Sequence, residues 1–254
     1  MEIGGALLSI LIAFARIASF LYMVPLFKNR FVPSTLKLGI ALSVSLLVYK
    51  QVPFDDVTNL PQLVVLLLMQ IMLGAALGYV VQLIFSIPQI AGALLDMDMG
   101  FSSSSLLDPN SGQRNTLIAN LYSTLFMLIF VMVGGINNLM YGLVLSFKFT
   151  DVLLFTANQN FFETLLMVFQ YMLVSSVQIA LPIIAAMFIL NFMLMVLGKI
   201  APQLNILFNM MPVKIAVGLL FLYFTIPVVG DFFANIVDNL NDQFLDVLES
   251  MMTK

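Results

Sequence analysis

The stretch VTNLPQLVVLLLMQIMLGAALGYVVQLIFSIPQIAGALL, residues 57–95, contains no Asp, Glu, Lys or Arg. As one straight helix at about 1.5 Å per residue it would be about 59 Å long, roughly twice the ~30 Å hydrocarbon thickness of a bilayer. Pro88 predicts a kink in it, and Gly74 and Gly78 form a Gly-x-x-x-Gly pair suited to close helix contact. Two more long uncharged runs follow. Residues 115–147 have an expected break at Gly134-Gly135-Ile136-Asn137-Asn138, and residues 164–198 contain Pro182 and Asn191. An earlier apolar run, Ile3 to Phe27, is long enough to span a bilayer and carries Arg16 in its middle. A charge there must face protein or water, held in a buried ion pair or by backbone carbonyls. Residues 38–49 are too short for a comfortable span and fit a re-entrant or protein-buried helix better.

Composition agrees with these runs. The chain of 254 residues is 61% hydrophobic and 9% charged, against about 25% charged in soluble domains. The mean hydropathy is +1.07. The fold class is therefore all-α: a polytopic membrane-type protein of long broken helices and helical hairpins. The ten Lys and Arg are scattered and form no basic patch for nucleic acid. With no Cys there is no disulfide, thiolate or iron–sulfur chemistry, and with no His the commonest general base and transition-metal ligand are absent. No enzyme class and no cofactor is indicated. Glu2 stands where a signal peptide has its positive region, so the N-terminal run is expected to be retained.

Counting six nominal spans, residues 28–37, 96–114 and 199–214 share one side. That side holds Lys28, Arg30, Lys37, Arg114, Lys199 and Lys214, against Lys50, Lys148 and Lys254 on the other. The positive-inside rule then puts both termini outside. Spans both too short and too long point to burial by protein partners as well as by lipid. The tail differs. Phe233, Ile236, Val237, Leu240, Phe244, Val247 and Leu248 recur at helical spacing beside Asp238, Asp242, Asp246 and Glu249. An acidic polar face suits packing on a protein partner or on the chain's own body better than on anionic lipid.

Between the runs lies a polar, turn-rich island, residues 96–113, Asp-Met-Asp-Met-Gly-Phe-Ser-Ser-Ser-Ser-Leu-Leu-Asp-Pro-Asn-Ser-Gly-Gln. Loops carried on rigid scaffolds concentrate function. Asp96 and Asp98 do not open a calcium loop, because Gly100 is at position five rather than six and Asn110 and Ser111 stand where acids would help. The two acids read as a solvated helix end or as an electrostatic element at a pore mouth. Ser102, Ser103, Ser104 and Ser105 have no His to activate them and no Gly-x-Ser-x-Gly elbow. Met97, Met99, Met210 and Met211 lie in or beside expected loops, where flexible apolar side chains can seal a pore yet yield to varied cargo. Lys199 and Lys214 suit interfacial snorkelling.

Four stretches carry a family resemblance over essentially the whole chain. They are Ala15-Arg16-Ile17-Ala18 with Val24-Pro25-Leu26; Arg30-Phe31-Val32-Pro33 with Leu36-Lys37-Leu38-Gly39; Met97-Asp98-Met99-Gly100-Phe101 with Asp108-Pro109-Asn110-Ser111-Gly112-Gln113; and Ala201-Pro202-Gln203-Leu204-Asn205 with Pro212-Val213-Lys214. In these the sequence resembles the FliR family of flagellar export-gate proteins and its injectisome counterparts, the SctT class. Asn209-Met210-Met211 departs from the Gly and aromatic residue that relatives often carry before the proline. The resemblance implies a non-enzymatic subunit of a helical export gate in the bacterial inner membrane, within the flagellar basal body and raised towards the periplasm. It implies FliP-like and FliQ-like partners, contact with FlhB-like and FlhA-like components, membrane lipid, and passage of unfolded substrates. Residues 1–155 would form a FliP-like part holding the central loop, about 96–114, and residues 156–254 a FliQ-like hairpin plus the acidic amphipathic helix. Met97, Met99, Gly100, Phe101, Ser102, Ser103, Ser104, Ser105, Asp108 and Pro109 would form a pore plug. Lys199, Pro202, Gln203, Asn205, Pro212 and Lys214 would belong to a cytoplasmic-side hairpin that meets partners. An injectisome gate subunit is the nearest alternative. A small secondary transporter with an ion site at Asp96 or Asp98 is a further one.

Overall fold

In the computed structural model, residues 2–28, 32–52, 60–101, 116–149, 159–200 and 211–250 are described. Among them there is no strand. The helices are α1 (Glu2–Met23), α2 (Pro25–Lys28), α3 (Ser34–Val48), α4 (Leu60–Met99), α5 (Leu117–Met132), α6 (Gly135–Phe149), α7 (Gln159–Ile200) and α8 (Met211–Ser250). A 3₁₀ turn, Tyr49–Gln51, follows α3.

The three longest helices contain proline without ending at it: Pro88 in α4, Pro182 in α7 and Pro227 in α8. The acidic amphipathic tail is the C-terminal part of one longer helix that begins at Met211. Glycine does break the chain at Gly134, where φ is +82°. A left-handed residue suits Gly alone at no steric cost, and α5 and α6 meet there at 70°. The break expected at Gly134-Gly135 is therefore present.

Among the described residues, four helical stretches are long and apolar enough to cross a membrane, or up to five if the bent α5–α6 pair is one span. This replaces the count of six. The difference lies at α3, whose 15 residues fall short of a span. Nor is α3 buried within the chain: only Ala41, Ser45 and Val48 are buried, while Leu42, Leu46 and Leu47 are exposed.

The chain divides into two compact units. The first comprises residues 1–84, 134–170 and 237–254. Its centre is Arg16, which is fully buried. Arg16 Nε donates to Gln70 Oε1 at 2.6 Å, and Nη1 donates to the Ser146 carbonyl at 2.8 Å and to Ser146 Oγ at 3.1 Å. The guanidinium carbon lies 4.2 Å from the centroid of the Phe147 ring, a cation–π contact. Of the two readings of Arg16, hydrogen bonding to a backbone carbonyl is the one seen. Nη2 has no hydrogen-bond partner among the described residues. The Gly74/Gly78 pair lets α4 approach α1 closely. A Cβ on Gly74 would collide with the Arg16 carbonyl oxygen and Ser19 Oγ, and one on Gly78 would lie 2.6 Å from Met23 Cβ and 2.9 Å from the Phe20 carbonyl oxygen. Phe20 meets Phe244 edge to face at 6.2 Å, and Gly142 leaves room for the Phe244 ring.

The second unit comprises residues 85–133 and 171–236. Its core is an aromatic cluster. Phe85 stands 5.1 Å from Phe126 and 5.0 Å from Phe130, and Phe233 stands 5.4 Å from Phe126 and 5.8 Å from Tyr122. Edge-to-face pairs of this kind add about 0.5–1.5 kcal/mol each beyond their area. The tail periodicity is borne out: Phe233, Ile236, Val237, Leu240, Phe244, Val247 and Leu248 are all buried within the chain, and Asp238, Asp242 and Asp246 are exposed.

The Arg16 site makes a stability prediction. Arg16→Met should cost about 2–4 kcal/mol, since Gln70 and Ser146 lose a charged donor. Arg16→Lys should restore only part of this, because one ammonium cannot reproduce the fork that reaches both partners. Thermal unfolding in detergent reads both, and a lysine variant as stable as the parent would refute the forked geometry. At the helix contact, Gly74→Val should lower stability by about 1–3 kcal/mol through overpacking, whereas Gly39→Ala, inside α3 with nothing within 4 Å of its Cβ position, should raise stability by about 0.5–1 kcal/mol through helix propensity.

Candidate functional site

The polar island begins later than its composition suggests. Residues 96–99 complete the last turn of α4, and Gly100 ends it with φ +89°, the left-handed stop that helices favour. Residues 102–115 lie outside the described residues, and with them Ser102, Ser103, Ser104, Ser105, Asp108 and Pro109. The two ends of that segment, residues 101 and 116, are described, and the second unit builds a defined corner around them.

Asp96 forms the joint. Its carboxylate is fully buried. Oδ1 accepts the backbone N–H of Ile118 at 3.0 Å and Oδ2 accepts that of Ala119 at 3.1 Å. These are first-turn donors of α5, which the helix itself cannot satisfy, and an anion is favoured at that positive end. Thr116 occupies the N-cap position but makes no side-chain cap hydrogen bond. The cap thus comes from 22 residues upstream. Gly92, one helical turn before Asp96, brings the two backbones together: a Cβ there would come 2.6 Å from the Ala119 nitrogen and 2.8 Å from the Ile118 carbonyl carbon. The expectation of a solvated Asp96 is corrected by this geometry. Both its oxygens are engaged by backbone donors, so it presents no open face to an ion.

The other residues of this turn divide by side. Met97 is 70% exposed. Met99 is fully buried and packs on Gly218 of α8, where a Cβ would stand 2.7 Å from Met99 Cγ and 2.8 Å from its sulfur. Asp98 is half-buried, with the Asn191 side chain of α7 nearby and Lys214 of α8 acting on it electrostatically. Phe101 is half-buried. Lys214, expected in a separate hairpin, is therefore brought beside the α4 end. Pro212 and Lys199 are exposed, at the start of α8 and the end of α7. Pro202, Gln203 and Asn205 fall outside the described residues, and Arg16 belongs to the other unit.

Gly92, Gly218 and Thr116 escaped the sequence reading. Asn191 was visible as a polar residue in an apolar run, but its link to Asp98 has no local signal. Among the described residues, no group of His, Cys, Asp or Glu is placed to hold a metal ion.

Residues 7–240 match the family of bacterial export proteins, family 1. The chain belongs to that family. Among similar proteins, the flagellar biosynthetic protein FliR of Aquifex aeolicus is 28% identical over 225 residues, 88% of this chain and 87% of that protein. The FliR of Bacillus subtilis is 27% identical over 84% of this chain and 83% of its own length. The FliR of Escherichia coli is 26% identical over 93% and 91%. The resemblance read in the four stretches thus extends along nearly the whole chain.

The corner carries its own test. Gly92→Val should force α4 and α5 apart and lower stability by about 1–3 kcal/mol, with faster amide exchange at Ile118 and Ala119. Unchanged exchange at those two amides would show that the backbones do not need the close approach.

Proposed function

We propose that this chain is a core subunit of the flagellar type III protein export gate. The observation that carries this is the match along almost the full length of both chains to proteins named as flagellar biosynthetic FliR. That naming favours flagellar over injectisome use. In this reading residues 1–155 act as a FliP-like part and residues 156–254 as a FliQ-like part. The chain joins FliP-like and FliQ-like subunits to form the export pore in the inner membrane, at the flagellar basal body and raised towards the periplasm. FlhB-like and FlhA-like components meet it at the cytoplasmic-side hairpin, around Lys199, Pro202, Gln203, Asn205, Pro212 and Lys214.

Helix length supports burial by partners. At about 1.5 Å per residue, α7 is about 63 Å long, against ~30 Å of hydrocarbon. Large apolar side chains are exposed along it from Phe162 through Leu181 and Phe188 to Ile200. Lipid can cover only part of such a face, so protein covers the rest.

The role is mechanical rather than catalytic. Met97, Gly100, Phe101, the serines 102–105, Asp108 and Pro109 serve as the plug, with Met99 anchoring its base on Gly218. Met and Phe seal by packing against one another, and Ser and Gly allow rearrangement without deep energetic traps. Unfolded substrate displaces the plug, which otherwise holds the gate closed to ions.

Deleting residues 100–108 should raise ion leakage in cells expressing the whole gate, and the parent chain should co-purify with FliP-like and FliQ-like subunits. Leakage at the parental level would remove the plug role; a chain that isolates alone and binds a small solute would remove the gate assignment.

A further inference from the structure

We propose that Asp96 is the positioning residue of the plug: its carboxylate ties the end of α4 to the start of α5 and so fixes the described helix ends on either side of residues 102–115. The inference rests on the plug reading and adds to it the residue that holds the plug's two ends.

Three observations carry it. The first is the bidentate geometry, with one oxygen on Ile118 N–H and the other on Ala119 N–H, from a fully buried side chain. Two bonds fix direction as well as distance, and bonds to an ionised acceptor are about twice as strong as neutral ones. The second is Thr116. A Thr at the N-cap position can satisfy first-turn donors locally, yet it makes no such bond and Asp96 takes the donors instead. Capping from a distance does what local capping cannot: it couples the two helix ends. The third is Gly92, which holds the α4 backbone against Ile118 and Ala119 so that the tie stays short. Met99 braces the same turn by packing on Gly218.

A helix cap and a tether are separable by moving the cap. In the full gate complex, D96A removes both functions. T116D added to D96A restores a capping carboxylate from within α5 without restoring the link to α4. The expected result for D96A/T116D is parental assembly with the other subunits and parental amide protection at Ile118 and Ala119, but ion leakage raised several-fold. D96A alone should leak as much and lose protection at those amides by roughly tenfold, the loss of a capping residue. Parental leakage in the double variant would overturn the proposal, because Asp96 would then be a cap only. If the double variant does not assemble, the isosteric D96N decides: it keeps one acceptor oxygen and loses the charge, and an assembled D96N gate that leaks no more than the parent overturns the proposal as well. The deletion of residues 100–108 is run beside them. A tight deletion removes the plug reading and this inference together, whereas a leaking deletion with a tight D96A/T116D removes only the role of Asp96.

Discussion

An ion buried among apolar helices must be solvated by polar atoms from the protein, and each unit is organised around one such ion. Arg16 is held by Gln70 and Ser146. Asp96 is held by the first-turn amides of α5. No carboxylate or ammonium pairs with either in these bonds. Leaving such a charge unsatisfied costs far more than any single apolar contact returns. The groups that solvate it must therefore come to it from wherever they lie in the chain, and three or two segments are fixed relative to one another in consequence.

Glycines stand where these ions need close approach. Gly74 meets the backbone of Arg16 itself, and Gly92 meets that of Ala119, one of the two residues that cap on Asp96. A side chain at either site would lengthen the hydrogen bonds that solvate the ion. Ion and glycine thus act together: the glycine makes the distance possible and the ion makes departure from it costly. For an export subunit this has a functional use. Large apolar side chains are left exposed on α7, while the joint between α4 and α5 is fixed from inside the chain.

Much of this architecture was legible in the sequence because local chemistry wrote it. The Gly134 break follows from backbone freedom, the tail stripe from the helical period, and the α1–α4 contact from Gly74 and Gly78. The places where the reading stopped short have a common cause. Pro88 and Pro182 lie within long runs in the sequence, and with Pro227 they stay inside long helices although each removes a backbone donor. Asp96 and Met99 looked like loop residues in a polar island, but the helix continues until Gly100, the first residue able to turn left-handed without strain.

By itself, the sequence determined the class of molecule: helical, apolar, poor in the residues of catalysis, and a member of an export family through motifs spread along its length. It also determined which residues could not rest in lipid, Arg16 among them. Only the tertiary structure decided how those residues were satisfied. Nothing near Asp96 in sequence points to Ile118 or Ala119, because a buried ion selects partners by distance in space and not along the chain. For the polar island, the sequence supplied the composition, and the fold supplied the joint through Asp96 between the end of α4 and the start of α5.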